Sequence, residues 1–321
     1  MGLKDITIEI TQQCPNRCVH CSSLSCPEKT VCLPLETIKE VIDDAISLGC
    51  ECVNLSGGEP FVYPELVKIV RHIRAKGVKC LVYTSGIGFD NGEPTSISTH
   101  LLNEMHGMVD KYIVNVEAAD ESTYNRIMGT EFQGFGMMRQ FVQNAVAIGE
   151  IVEAHFVPTK LNYRQIPEVV EMCKTLGFSR VSFLRFVAQG RGLDNVSKLL
   201  LDETEMREAR QLIKECFDNK IIDIRIGIPF IECDKRINCL AGISKLDVRY
   251  DGKVYPCEAF KNENLKYLIT SEADNVKEKS LKEIYRTSNH LQQVRKLLGE
   301  FQTQMTCETC MNQFYSKQNQ K

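Results

Sequence analysis

Three closely spaced cysteines at the end of a strand constrain this chain more than any other feature. Thr11 to Cys21 reads TQQCPNRCVHC and follows an alternating segment in which Ile6, Ile8 and Ile10 share one face. Cys14, Cys18 and Cys21 stand in a CxxxCxxC spacing. A loop of that length can carry three thiolates onto three irons of a cubane cluster, because soft sulfur ligands suit iron–sulfur chemistry. The fourth iron is then left open to a ligand. The alternative is a structural zinc site short of one ligand, and the spacing does not match the usual zinc cysteine pairs.

At 321 residues the chain can bury a full core, enough for a barrel-sized α/β domain and a small second module. A net charge of -3, a pI near 6.1 and the lack of a lysine or arginine block give no reason to expect nucleic acid or an anionic membrane as partner. No basic and apolar leader precedes the first strand, and no apolar run reaches membrane-spanning length, so a cytoplasmic protein is expected. In that reducing compartment fifteen cysteines read as metal ligands and small buried groups rather than as disulfides. Oligomeric state is not legible.

Downstream, helix, strand and glycine loop repeat. Apolar residues at Leu35, Ile38, Val41, Ile42, Ala45 and Leu48 predict a helix over 34–48, and 52–56 is a short strand running into Gly57-Gly58-Glu59-Pro60. Helices follow at 66–75, 97–106, 135–148 and 163–175, with strands at 79–84, 112–116, 152–157 and 181–186. Such alternation predicts right-handed βαβ units around a parallel sheet, with chemistry in the loops after the strands. From Gly190 the pattern breaks: GRGLDN is a turn-rich loop, 202–217 a connecting helix and 221–228 an extra strand. Beyond lie Cys239, a hairpin-like run over 246–257 around Asp251-Gly252, a helix over 281–298, and Cys307-Glu308-Thr309-Cys310.

The GGEP loop falls one connection away from the cysteine loop, on the face where barrel loops gather ligands. Its glycines let backbone approach a ligand closely, and Glu59 offers a carboxylate to an ammonium or hydroxyl group. The plainer reading is an ordinary loop acid. CxxxCxxC after the first strand and GGEP after the second together resemble the radical SAM superfamily, whose fold is a partial (β/α)6 TIM barrel. The resemblance implies that Cys14, Cys18 and Cys21 hold a 4Fe-4S cluster whose open iron is chelated by S-adenosylmethionine. It places the cofactor's amino group at Gly57, Gly58, Glu59 and Pro60, and its adenine near His20. Asn115 and Glu117 match the fourth-strand residues that touch the cofactor, although the family more often has serine and aspartate there. Arg191, with Thr159, Asn162 and Arg185, is a further candidate, each with a structural alternative at the barrel rim.

The tail resembles the twitch module, a shortened form of the SPASM domain, an α+β iron–sulfur unit. By that resemblance Cys239, Cys257, Cys307 and Cys310 close one auxiliary 4Fe-4S cluster, with Cys233 as an alternative ligand. A four-cysteine zinc ribbon is the physical alternative. The expected organisation is a radical SAM core over 1–195, a connecting helix and strand over 196–232, and the auxiliary domain over 233–321.

The implied activity is reductive cleavage of S-adenosylmethionine to a 5'-deoxyadenosyl radical that abstracts hydrogen from a substrate, fed by a flavodoxin- or ferredoxin-type reductant. Oxidative modification of a small molecule, of the sugar or alcohol dehydrogenation type, is the main expectation. The chain opens at the first strand, without the winged-helix module of many peptide-modifying relatives. Maturation of a ribosomally made peptide is the alternative, and an electron-transfer or zinc-binding protein without catalysis a more distant one. Cys26, in a short loop beside the cluster, is a candidate hydrogen donor, whereas Cys50, Cys52, Cys80, Cys173 and Cys216 read as buried apolar groups.

Overall fold

The computed structural model describes residues 2–227, 230, 239–261 and 269–302. Its strands are β1 (Asp5–Thr11), β2 (Cys52–Gly57), β3 (Lys79–Thr84), the hairpin β4 (Ile87–Asp90) and β5 (Glu93–Ser96), β6 (Lys111–Asn115), β7 (Val152–Phe156), β8 (Arg180–Phe183), β9 (Asp223–Ile226), β10 (Lys245–Val248) and β11 (Val254–Tyr255). The helices are α1 (Leu35–Ser47), α2 (Leu66–Ala75), α3 (Thr99–Glu104), α4 (Glu121–Met128), α5 (Gly134–Ala147), α6 (Ile166–Leu176), α7 (Arg191–Asp194), α8 (Val196–Leu199), α9 (Glu203–Asp218), α10 (Leu281–Thr287) and α11 (Asn289–Gln302). One sheet runs β11-β10-β1-β2-β3-β6-β7-β8-β9. Its pairs are parallel except β10 with β11.

The alternation in β1 explains how the sheet is used. Ile6, Ile8 and Ile10 are fully buried and join Ile38, Val41 and Ile42 of α1 and Ile69, Val70 and Ile73 of α2 in the main core. Each contributes about 1.5–3 kcal/mol relative to exposure. Thr7, Glu9 and Thr11 alternate with them on the other face and are buried as well. That polar face is concave. His155 on β7 is held neutral partly by Lys245 on β10, and the two lie five strand steps apart, about 24 Å across a flat sheet. Charges act on one another well inside that distance, so the sheet is curved toward its polar face.

The six expected strands occur in order within a few residues of their places. Several elements differ. A hairpin, β4–β5, follows β3 where only a loop was expected. Asn91 and Gly92 both take positive φ at its tip, as a two-residue hairpin turn requires. An extra helix, α4, is capped by Asp120, whose side chain accepts from Thr123 N, and ends at Gly129 in the left-handed region. The expected helix over 281–298 breaks at Ser288, which leaves the helical region and caps the next segment by accepting from Leu291 N at 3.2 Å. The capping box of Asp202 and Glu205 starts α9 as a sequence of this kind should.

The tail is joined to the core through the sheet. β10 lies beside β1 with Thr7 opposite Asp247, and β9 extends the far edge beside β8. A second apolar cluster, with Tyr255, Phe260, Val294 and Leu298, packs against Cys239 and Cys257. No helix among the described residues is long and apolar enough to cross a membrane.

Candidate active site

The cysteine loop is clamped by backbone from two sides. Arg17 N and Val19 N donate to Met128 O and Ile127 O at the end of α4. A side chain at Gly129 would stand 2.5 Å from Arg17 O. Opposite, Arg191 N donates to Cys21 O at 3.0 Å, while its guanidinium donates to Cys18 O at 2.8 Å and Ser25 O at 2.7 Å. Arg191, expected to touch cofactor, thus has at least two of its donors committed to loop carbonyls. Its charge still reaches Cys18, whose thiol burial and Cys21 push up and Arg191 pulls down.

Cys14 is buried and Cys18 and Cys21 are half-buried. Burial pushes the Cys14 thiol well up, and the neighbouring Cys18 and Glu59 add to it. Among the described residues no three metal-binding side chains gather on one point. Three thiols carried by one loop match three corners of a cubane and fall one short of a closed tetrahedral site. Cys26 bridges to Gln13 through its backbone, and its thiol contacts the exposed Glu28.

The glycines of GGEP are required by the chain itself. Gly58 N donates to Thr11 O at 2.6 Å and Glu59 N to Gln13 O at 2.8 Å. A Cβ on Gly58 would fall 2.0 Å from Gln13 O, and one on Gly57, at φ 128°, 2.4 Å from Thr11 O. The motif therefore fastens the β2 loop to the residues that lead into Cys14. Pro60 is buried at the start of a short helical turn capped by Glu59.

Glu59 is 1% exposed. Its carboxylate accepts from Thr84 Oγ1 (2.6 Å), Phe61 N (3.3 Å), Ser85 N (2.8 Å) and Ser85 Oγ (2.7 Å). Those four donors fill the usual acceptor positions of a carboxylate. Burial still raises its pKa to about 7.

Glu117 and His20 meet at 3.5 Å, Nε2 to Oε1. Burial lifts Glu117 to about 8. Burial and then Arg191 hold His20 at about 4. Both groups are thus neutral near pH 7, and the contact is no ion pair. His20 Nδ1, Glu117 Oε2, both amide atoms of Asn16 and Arg185 Nε are buried without a hydrogen-bond partner among the described residues. Orphaned donors and acceptors on the cysteine loop and beyond the ends of β6 and β8 fit a polar group from outside the chain. Asn115 lies on the same polar face, opposite His155 in register. Thr159 and Asn162 serve the turn after β7: Asn162 Oδ1 accepts from Thr159 N and Oγ1, and its amide donates to Glu117 O and Val157 O.

The raised pKa of Glu117 has a testable consequence. Folded protein keeps a proton that the unfolded chain releases above 4.5, so this stability is full below pH 4.5 and is lost as pH rises to about 8. Glu59 acts in the same sense but is spent near pH 7, and His20 acts oppositely only between about 4 and 6.5. Between pH 7 and 8 metal-free protein should lose roughly 1 kcal/mol in urea unfolding through Glu117, and Glu117→Gln should remove that loss. An unchanged slope in the variant would contradict the assignment.

Several functional candidates escaped sequence reasoning. Lys261 Nζ, 4% exposed, contacts Glu9 Oε1 and lies 3.8 Å from Asp247 Oδ2, while Ser23 Oγ donates to the same Glu9 oxygen at 2.5 Å. His155 stacks edge-on against Tyr83 at 5.3 Å, and burial, then Arg225 and Lys245, hold it at about 3. The polar alternation of β1 was the available signal for Glu9; Lys261 had none. In the tail, Gly242 N donates to Pro256 O at 2.9 Å, which brings the loop after Cys239 against the residue before Cys257. Cys233, Cys307 and Cys310 lie outside the described residues.

A curled α/β sheet with a three-cysteine loop at one strand end and cysteines in a tail stitched to its edge defines an iron–sulfur enzyme class. The family model of the radical SAM superfamily matches residues 8–173, and that of the SPASM iron–sulfur cluster-binding domain matches residues 239–311. The chain belongs to the radical SAM superfamily, with a C-terminal SPASM-type auxiliary domain. It is an enzyme with radical-generating activity, and its cofactors are a 4Fe-4S cluster that binds S-adenosylmethionine and auxiliary iron–sulfur chemistry. Among curated proteins it is similar to the PqqA peptide cyclase of Gluconobacter oxydans, 25% identical over 291 residues that cover 87% of this chain and 75% of that one. The PqqA peptide cyclase of Methylobacterium nodulans is 25% identical over 309 residues, covering 94% and 77%. Among solved structures, Streptococcus suis SuiB bound to S-adenosylmethionine superposes with a TM-score of 0.75 at 16% identity, covering 100% of this chain and 75% of that one. Native anSMEcpe with bound AdoMet and Cp18Cys peptide gives 0.65 at 15% identity, covering 92% and 83%.

Proposed function

We propose that this enzyme modifies a peptide by radical chemistry at the mouth of a six-stranded partial barrel. The observation that carries this is the similarity to peptide cyclases across the core and most of the tail together, over 87% and 94% of the chain. The main expectation from sequence, a sugar or alcohol substrate, has no comparable support, and the peptide alternative replaces it.

In this reading the core over 1–195 holds the first cluster through Cys14, Cys18 and Cys21. Cys239 and Cys257 supply two ligands of one auxiliary cluster in the tail, with Cys307 and Cys310, or Cys233 in place of one of them, completing it. When bound, the cluster and S-adenosylmethionine supply a carbon-centred radical that takes a hydrogen atom from the substrate. The chain's own part is to aim and enclose. Arg191, Gly58 and the end of α4 fix the cysteine loop. Glu59, held by four donors, acts on the cofactor's amino group through its field, while His20, Asn115 and Glu117 line the polar side. A cationic cofactor beside Glu117 favours the ionised carboxylate, so binding releases a proton near neutral pH. A flavodoxin- or ferredoxin-type protein provides the electron.

The test is anaerobic: reduced holoenzyme and S-adenosylmethionine are mixed with a pool of short synthetic peptides or with a panel of sugars and amino alcohols, and 5'-deoxyadenosine is measured. Stimulation by peptides is expected. Stimulation by the sugar panel alone would return the small-molecule reading.

A further inference from the structure

The loop between β8 and α7 bonds both cysteine-bearing regions within three residues. On one side, Gln189 Nε2 donates to Ala259 O at 2.9 Å, two residues beyond Cys257. On the other, Arg191 reaches Cys21 O, Cys18 O and Ser25 O. Gly190 joins them at φ 52° and ψ -132°, and a Cβ there would meet Cys21 O at 2.5 Å and Ser22 O at 2.7 Å. Flanking residues continue the pattern. Val187 packs against the same apolar cluster as Cys239 and Cys257, and Asn195 Nδ2 donates to Val19 O at 3.1 Å.

We propose that Gln189 is a positioning residue that ties the auxiliary cysteine loop to the first cysteine loop and so sets the spacing between the two clusters. Gln189 is fully buried. Its Oε1 has no partner among the described residues, and turning the amide over would place that oxygen against Ala259 O, so the orientation with Nε2 donating is the one the contacts support. A buried amide kept for one donated bond, to a backbone carbonyl beside Cys257, points to placement of that loop. Charge is not involved, and the lost bond can be removed at constant volume.

This inference rests on the two-cluster reading, and the experiment separates their failures. Anaerobically reconstituted wild-type holoenzyme and Gln189→Met are counted for iron, reduced with dithionite and examined by EPR for coupling between the two reduced clusters. Both proteins are expected to hold about eight irons. The wild type should give one well-defined coupling and Gln189→Met a broadened one, with severalfold more 5'-deoxyadenosine formed per modified product. Gly190→Ala, whose Cβ would push this connection off the first cysteine loop, should shift the coupling further. Identical coupling in wild type and Gln189→Met overturns the proposal, as does a Gln189→Met protein that drops to about four irons, since the residue would then hold a cluster rather than space two. A wild type with about four irons would refute the two-cluster reading before any coupling is compared.

Discussion

Replacing Cys14, Cys18 and Cys21 together by alanine should abolish 5'-deoxyadenosine formation and lower anaerobically reconstituted iron from about eight to about four per chain. The backbone bonds that hold the loop do not use the thiols. Arg17, Val19 and Arg191 N still anchor it, and Gly58 still seats against Gln13. The variant should therefore fold and keep its auxiliary iron while losing cofactor cleavage. In the metal-free chain, burial and mutual repulsion oppose ionisation of Cys14 and Cys18, so these thiols stay protonated there. Full iron retention in the triple variant would remove the first cluster from this loop.

Replacing Cys239 and Cys257 by alanine should separate the two halves of the reaction. Substrate oxidation leaves an electron that an auxiliary cluster can accept, whereas cofactor cleavage needs only the first cluster. Under dithionite the double variant should form 5'-deoxyadenosine and lose the modified peptide. A folding role is the rival, because a closed thiolate site can supply much of a small module's stability. Here the tail has other support: β10 lies in the main sheet beside β1, Lys261 is buried against Glu9, and Tyr255, Phe260, Val294 and Leu298 form a core of their own. The variant should stay soluble. Full product formation with about four irons gone would make the tail cluster dispensable, and an insoluble protein would make it structural.

Strand order and the cysteine loop were legible because period-two alternation and ligand spacing are local. β2, α2 and β3 fall within a residue of their expected bounds. The place of the GGEP motif was legible, but its seat was not: its glycines meet the backbone of Thr11 and Gln13, which lies one connection away and leaves no trace in a short motif. Arg191 stood out as a residue flanking the sixth strand, and the carbonyls it holds lie more than 160 residues earlier. Lys261, Gln189 and His155 were invisible because their roles come from tertiary neighbours rather than spacing. The β4–β5 hairpin had its Asn-Gly turn in plain view, but Pro94 and four-residue strands concealed the flanking alternation.

Deuterium transfer tests the central claim most directly. Reduced holoenzyme is incubated with S-adenosylmethionine and a peptide it modifies, deuterated at its carbon positions, and the 5'-deoxyadenosine formed is weighed by mass spectrometry. A radical enzyme acting on a peptide should return 5'-deoxyadenosine carrying peptide deuterium. 5'-Deoxyadenosine that stays free of deuterium while the peptide is converted would contradict the account.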